Sequence, residues 1–208
     1  MSEQETVIER TAAEYAPYAD MTAVAGLQAD YSQRLTDIEE SKGLTAQGKR
    51  AEAAAAYLAT IEHLDGIKSS VEAGIDTARH TAERRLFGPG AADPQAILAH
   101  RDAFERVDRL DTAASAEAAL RQARFSGDDS MIRAITARAE GKGWDGVLSR
   151  VERAAPGTGD KLKAYRAIPS GSGSAFNVAF GVVAPRQFVS KDGALDMRAI
   201  KREAATLS

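Results

Sequence analysis

The chain has 208 residues, a net charge of −3 and no cysteine, which excludes disulfides and thiolate metal sites and fits a reducing, cytoplasmic setting. Alanine supplies nearly half of the 44% hydrophobic residues, while Leu, Ile, Val and Phe together make up about 19% of the chain, a supply too small for a thick globular core. Alanine has the highest helix propensity and lets helices approach closely, so the composition points to long helices packed in thin layers.

The first ten residues contain Glu3, Glu5 and Glu9 and no apolar block, so no secretory signal is expected. Residues 3–16 read as a short helix, interrupted at Pro17. Met21, Val24, Leu27, Tyr31, Leu35 and Ile38 follow at steps of three and four, the stripe of an amphipathic helix. Gly43 is the expected left-handed cap at its end.

A turn through Leu44–Gly48 leads into a longer helix with the stripe Leu64, Ile67, Val71, Ile75, Ala78, Ala82 and Leu86. Leu64, Ile75 and Leu86 recur every eleven residues, a repeat that favours a nearly straight helix. The two helices are expected to fold back as a long antiparallel hairpin over residues 1–87. The second outruns the first by several turns, so Ile75 and Leu86 require cover from the C-terminal part or from a second subunit.

Phe87-Gly-Pro-Gly-Ala-Ala-Asp-Pro marks a boundary, and Asp93-Pro94 is a helix start with an N-cap oxygen followed by a residue pre-set for the first turn. Ile97, Phe104, Val107 and Leu110 line the helix that follows, to about Asp111. Shorter helices are expected near 113–125, 129–140 and 144–154, forming a small bundle within residues 93–168. In helix length, and in the small residues at its helix crossings, this region also resembles one and a half units of a tetratricopeptide-type α-solenoid.

Ser170-Gly-Ser-Gly-Ser174 has the composition of a flexible linker. Beyond it Phe176, Val178, Phe180 and Val182 alternate with small residues at the period of a strand, with Phe188-Val189 as a pairing partner across Pro185. A terminal helix is expected over about Leu195 to Thr206. Residues 170–208 thus read either as a docking arm or as a tail folded on its own domain. The longest weakly polar run, Ala175–Ala184, is too short to span a bilayer.

No motif carries chemistry. Gly43-Leu-Thr-Ala-Gln-Gly48-Lys49 has P-loop spacing, but Arg50 stands where a Ser or Thr is needed and the preceding segment is helical. His63, His80 and His100 lack the spacing of a metal site. Glu39-Glu40 and Asp128-Asp129 are paired only by adjacency. Arg79, Arg84 and Arg85 suit a helix C-terminus, and Arg101, Arg106 and Arg109 are interleaved with acids, so nucleic-acid binding is not expected.

The resulting expectation is a mainly all-α, non-enzymatic protein with no cofactor, no metal and no membrane span. It is expected to be a structural or assembly protein that self-associates as a homo-oligomer or docks to partner proteins. Ile75, Leu86, Phe176, Val178, Phe180 and Val182 are the candidate partner-binding residues. Helical, alanine-rich, cysteine-free chains with a flexible arm occur among virion head–tail and scaffold components, which this chain resembles in composition. The alternative is an α-solenoid-like module that recognises a protein or peptide in a groove within residues 93–155, with Trp144 or Phe125 on its concave face.

Overall fold

The structure, a computed structural model, describes residues 13–207. The start of the helix expected over residues 3–16 lies outside the described residues; residues 13–15 are helical and the turn at 16–18 carries Pro17. The protein is mainly all-α, and among the described residues the only β pairing is an isolated antiparallel bridge between Val189 and Leu195. The chain divides into two compact units, the first containing residues up to Ile75 together with those from Pro169 onward, the second Asp76–Ile168.

In the first unit, α1 (Met21–Glu40) starts at Asp20, whose carboxylate accepts the N–H groups of Thr22 and Ala23 at 3.0 and 3.2 Å, satisfying two of the donors a helix start leaves open. Of the apolar stripe, Val24, Tyr31 and Ile38 are buried, two turns apart from one another. Helix α2 (Ala46–Phe87) then runs unbroken for 42 residues, and its part up to Ile75 belongs to this unit. Lys49 Nζ donates to the Glu39 carbonyl at 2.6 Å, Arg34 pairs with Glu52 at 3.5 Å, and the Tyr31 and Tyr57 rings lie 6.2 Å apart. Residue numbers fall on α1 as they rise on α2, so the two pack antiparallel. Ala51, Ala53, Ala54 and Ala56 are all buried in α2, small side chains that permit close backbone approach.

The connection differs from the expected one. Gly43 does not adopt positive φ; α1 ends at Ser41, whose N–H bonds back to Asp37. Gly48 lies inside the first turn of α2, where its N–H donates to Thr45 Oγ1 at 3.0 Å. The Thr45 hydroxyl starts the helix, and no glycine cap is needed.

The segment from Pro169 onward completes this unit. The Tyr15 hydroxyl donates to the Ser170 carbonyl at 3.0 Å, and a short helix α8 (Ser174–Ala179) replaces the expected strand. The alternation of Phe176, Val178, Phe180 and Val182 was ambiguous in period, because residues four apart also share a helix face. The helix buries Phe176 and Phe180 and leaves Val178 60% exposed, while the alanines at 175 and 179 favour helix. The expected pairing of Phe188-Val189 is also absent: Arg186–Phe188 is a single 3-10 turn, and Val189 bridges forward to Leu195 around Gly193, which has φ 82°. The terminal helix α9 (Met197–Ala204) is capped by Asp196 on the Ala199 N–H and buries Ile200 with Phe188, Tyr31 and Ile38.

The second unit contains the end of α2 and five helices, α3 (Pro94–Val107), α4 (Ala113–Ser126), α5 (Asp129–Lys142), α6 (Asp145–Ala154) and α7 (Thr158–Arg166). Their starts carry side-chain caps at Asp93, Thr112 and Asp128, and α4 and α5 end in left-handed Gly127 and Gly143, as the chain's Asp/Thr and Gly spacing demands. Helix α5 is central: it packs against α3, α4 and α6 and buries Met131, Ile132, Ala134, Ile135, Thr136 and Ala139. Helix α7 was not expected; it starts directly after Gly157 and carries Gly159 in its first turn. It is fixed by Glu152, whose carboxylate oxygens accept the Gly157 and Gly159 N–H groups at 2.8 and 2.5 Å, doing for α7 what an N-cap side chain would.

Two predictions follow from these contacts. Phe176 is fully buried, so Phe176→Ala is expected to lower stability by roughly 3–5 kcal/mol, read as a shifted urea transition by circular dichroism. The N–H groups of Gly159 and Gly157 hold the Glu152 carboxyl below its ordinary value of 4.5. A carboxyl with a depressed folded-state pKa adds stability above its unfolded value and loses it as pH falls through the folded one. Glu152→Gln is therefore expected to be less stable than the parent at neutral pH, with the difference shrinking below pH 4.5. Fluorescence of Trp144, the only tryptophan and packed against this unit's core, reports the transition.

Candidate functional site

A groove of about 920 Å³ lies in the first unit, between α1, the first turns of α2 and the segment 178–187. Its floor is built from Tyr31, Leu35 and Ile38 of α1 and Ala53 of α2, and its wall from Val178 and Gly181–Gln187. The wall is strapped to α1 by polar side chains. Gln28 Nε2 donates to the carbonyls of Ala179 and Gly181 at 3.1 and 2.8 Å, and the Tyr31 hydroxyl donates to the Val183 carbonyl at 2.9 Å. The carbonyls at 179, 181 and 183 thus all turn toward α1.

The charge at the rim is uneven. Lys49, Arg50 and Arg186 line the groove, with Glu39 the one acidic lining residue among those described. Arg50 lies 3.6 Å from Glu203 and 4.9 Å over the Phe188 ring, and Gln47 also hydrogen-bonds Glu203. Lys49 is held by the Glu39 carbonyl and not by a carboxylate. Burial raises the Tyr31 phenol above its usual value of 10, reinforced by neighbouring Tyr57, so Tyr31 serves as a neutral hydrogen-bond donor.

The six residues singled out in the sequence are not brought together as one surface. Ile75, Leu86, Phe176 and Phe180 are buried. Gly171 of the same unit covers Ile75, and Leu86 enters the core of the second unit beside residues of α3–α7. The exposed end of the long stripe is therefore filled by the chain itself, with no need of a second subunit. Phe176 packs edge-on against Tyr15 at 5.1 Å and against Phe180 at 4.9 Å. Val178 and Val182 are the two of the six that line the groove. Val183, 83% exposed, and the strap donors Gln28 and Tyr31 were missed. A tyrosine on an apolar stripe signals a core position, and nothing local in the sequence pairs it with a carbonyl about 150 residues later.

The remaining motifs have structural roles. The P-loop-like segment is the start of α2. His63 and His80 are exposed, and His100 Nε2 meets the Phe87 carbonyl at 2.7 Å with its ring against Phe104. Arg79 donates to the Ile168 carbonyl and lies over Tyr165, and Arg101 and Arg106 pair with Glu105 and Asp102. Among the described residues there is no group of three or more acidic or histidine side chains able to hold a metal, and no helix long and apolar enough to cross a membrane. No family model, curated protein or solved structure matches the chain.

Tyr31→Phe removes the bond to Val183 and leaves that carbonyl without its donor, an expected loss of about 1 kcal/mol in denaturant unfolding. A group whose folded-state pKa is raised contributes stability below its unfolded value, lost as pH climbs past it. An alkaline titration followed by tyrosinate absorbance is expected to show late ionisation beyond the ordinary value of 10 in the parent, from Tyr31 and the likewise raised Tyr15, Tyr57 and Tyr165, with the amplitude of one tyrosine lost from it in the variant.

Proposed function

We propose that the chain is a structural or assembly protein that self-associates or docks to partner proteins through its helical surfaces and C-terminal segment, in the manner of a virion head–tail or scaffold component. The observation that carries this reading is the groove of the first unit, an open concavity floored by Leu35 and Ile38 whose wall exposes Val178 and Val183 to solvent. Apolar side chains gathered at a polar-rimmed concavity are the usual mark of a docking surface. Contact through this wall takes over the role first given to Ile75, Leu86, Phe176 and Phe180, which the chain uses in its own cores.

A second reading is favoured by two features of the other unit. Helix α5 packs on α3 and α4, α6 packs on both α4 and α5, and α7 packs on α6, the near-neighbour order of stacked helical repeats. Phe125, near the end of α4, is 90% exposed. Both suit an α-solenoid-like adaptor that binds a protein or peptide.

Molar mass by light scattering over a concentration series separates the two. The assembly reading expects a stable or concentration-dependent oligomer, reduced toward the monomer by Val178→Glu with Val183→Glu. A monomer of about 22.1 kDa at every concentration overturns self-association and leaves docking to a partner protein, at the groove or as the adaptor.

A further inference from the structure

Resting on the assembly role above and naming its partner, we propose that the chain self-associates by seating the basic outer face of α9 of one copy on the acidic outer stripe of α2 of another.

The basic face follows from the order of residues in α9. Arg198, Lys201 and Arg202 stand three and four residues apart, which puts them on one side of the helix. All three are exposed, while Ala199 and Ile200 are buried on the other side. None of the three side chains has an ion-pair or hydrogen-bond partner among the described residues. The acidic groups nearest in sequence are used inside the chain: Asp196 caps the Ala199 N–H, Glu203 is held by Arg50 and Gln47, and Asp192 by Ser190. Three cations are thus turned to solvent with no counter-charge.

The opposite charge lies on α2 of the same unit. Glu62, Asp65, Ser69 and Glu72 succeed one another at steps of three and four, a stripe off the side that buries Leu64, Val71 and Ile75. Glu62 and Asp65 are exposed and Glu72 is half-buried. Because α1 and α2 run antiparallel, with Tyr31 beside Tyr57, α2 beyond Tyr57 lies along the part of α1 before Tyr31. That part and the turn preceding it add Glu14, Asp20 and Asp30 and no Lys or Arg. Lys68 is the only Lys or Arg in residues 13–33, 55–75 and 169–185, and its Nζ is taken by the Asn177 side chain and the Phe176 ring. None of the six carboxylates is in an ion pair among the described residues.

The two faces do not meet within one chain. Helix α9 rests on its own unit through Ala199, Ile200 and Glu203, so its cations, on the other side of the helix, point away from that unit. A foreign polyanion would answer the cations and be repelled by the carboxylates of the same unit. A second copy answers both. Exposed ion pairs are weak one at a time, so the faces act together and choose which surfaces meet and in what register. Mutual seating of two copies gives a dimer, and one-way seating a longer array.

The test is molar mass of the full chain by light scattering over a concentration series, at low salt and in about 1 M NaCl, where the screening length falls to about 3 Å. An oligomer that the salt dissociates is expected. Arg198→Glu with Lys201→Glu and Arg202→Glu, and separately Glu62→Lys with Asp65→Lys, are each expected to weaken association about tenfold or more, with circular dichroism and urea midpoint as in the parent. An equimolar mixture of the two variants is expected to associate again, because each reversed face then meets its complement on the other chain. Lys201→Glu and Asp65→Lys, single changes at exposed positions, carry the same mixing test where a multiple variant lowers the urea midpoint. An oligomer indifferent to salt and to both reversals overturns the inference and keeps the assembly role. A folded pair of variants that stays dissociated on mixing also overturns it. A monomer at every concentration overturns it together with self-association. So does a monomeric parent whose α9 cations retain it on phosphatidylserine vesicles or on duplex DNA, which makes the face a phosphate-binding surface.

Discussion

The burial of Phe176 between Tyr15 and Phe180 is the contact on which the first unit depends. Its ring is fully enclosed, with Tyr15 and Phe180 tilted against it and Lys68 Nζ 5.6 Å above. Aromatic clusters of this kind bury more area per residue than any aliphatic pair, and this chain has few large apolar side chains to spend. The same neighbourhood binds two remote parts of the chain by hydrogen bonds, from Tyr15 to the Ser170 carbonyl and from Lys68 to the Asn177 side chain at 2.6 Å. Once Phe176 is seated, the next residues are led along α1, where Gln28 and Tyr31 take their carbonyls. The groove wall is thus a consequence of an aromatic anchor a few residues upstream.

Scarcity of large side chains also explains the two seams of small residues. In α2 four alanines between residues 51 and 56 are buried, and in α5 Ala134 and Ala139 occupy the centre of the second unit. Small residues bury little area each, so the few large ones between them carry most of the packing. Tyr31, Tyr57, Ile38 and Ile200 do this in one core, and Leu120, Ile135, Val147 and Val151 in the other. The start of α6 carries no side-chain cap, whereas at α7 the Glu152 carboxylate takes that part.

Local signals in the sequence were enough for the helical class, for the stripes of α1 and α2, and for the starts of α3 to α5, because capping oxygens, glycines and periods of three and four act within a few residues of where they stand. Three features escaped because their cause is remote. The segment 176–180 is compatible with either period, and Tyr15, some 160 residues earlier, decides between them. Gly43 has the look of a helix cap, yet α1 ends at Ser41, whose N–H bonds back to Asp37, and Lys49 from the next helix takes the Glu39 carbonyl. The cover on Ile75 comes from Gly171, whose lack of a side chain lets its backbone lie within reach of Ile75 and Glu72. A Gly/Ser run read as a spacer by composition is, in this fold, a strip of backbone thin enough to lie against a helix.

The groove itself was partly legible. Val178 and Val182 were singled out for their alternation, and two of the four neighbours singled out with them turned out to be the anchor that positions them. What the sequence could not show is why a half-buried piece of backbone is left with open hydrogen-bonding groups. The strap binds its carbonyls on one side only, through Gln28 and Tyr31, and the side chains on the other side are valines and an alanine, which offer those groups nothing. Had residue 182 or 184 been Ser, Asn or Asp, a local side-chain bond could have closed the edge.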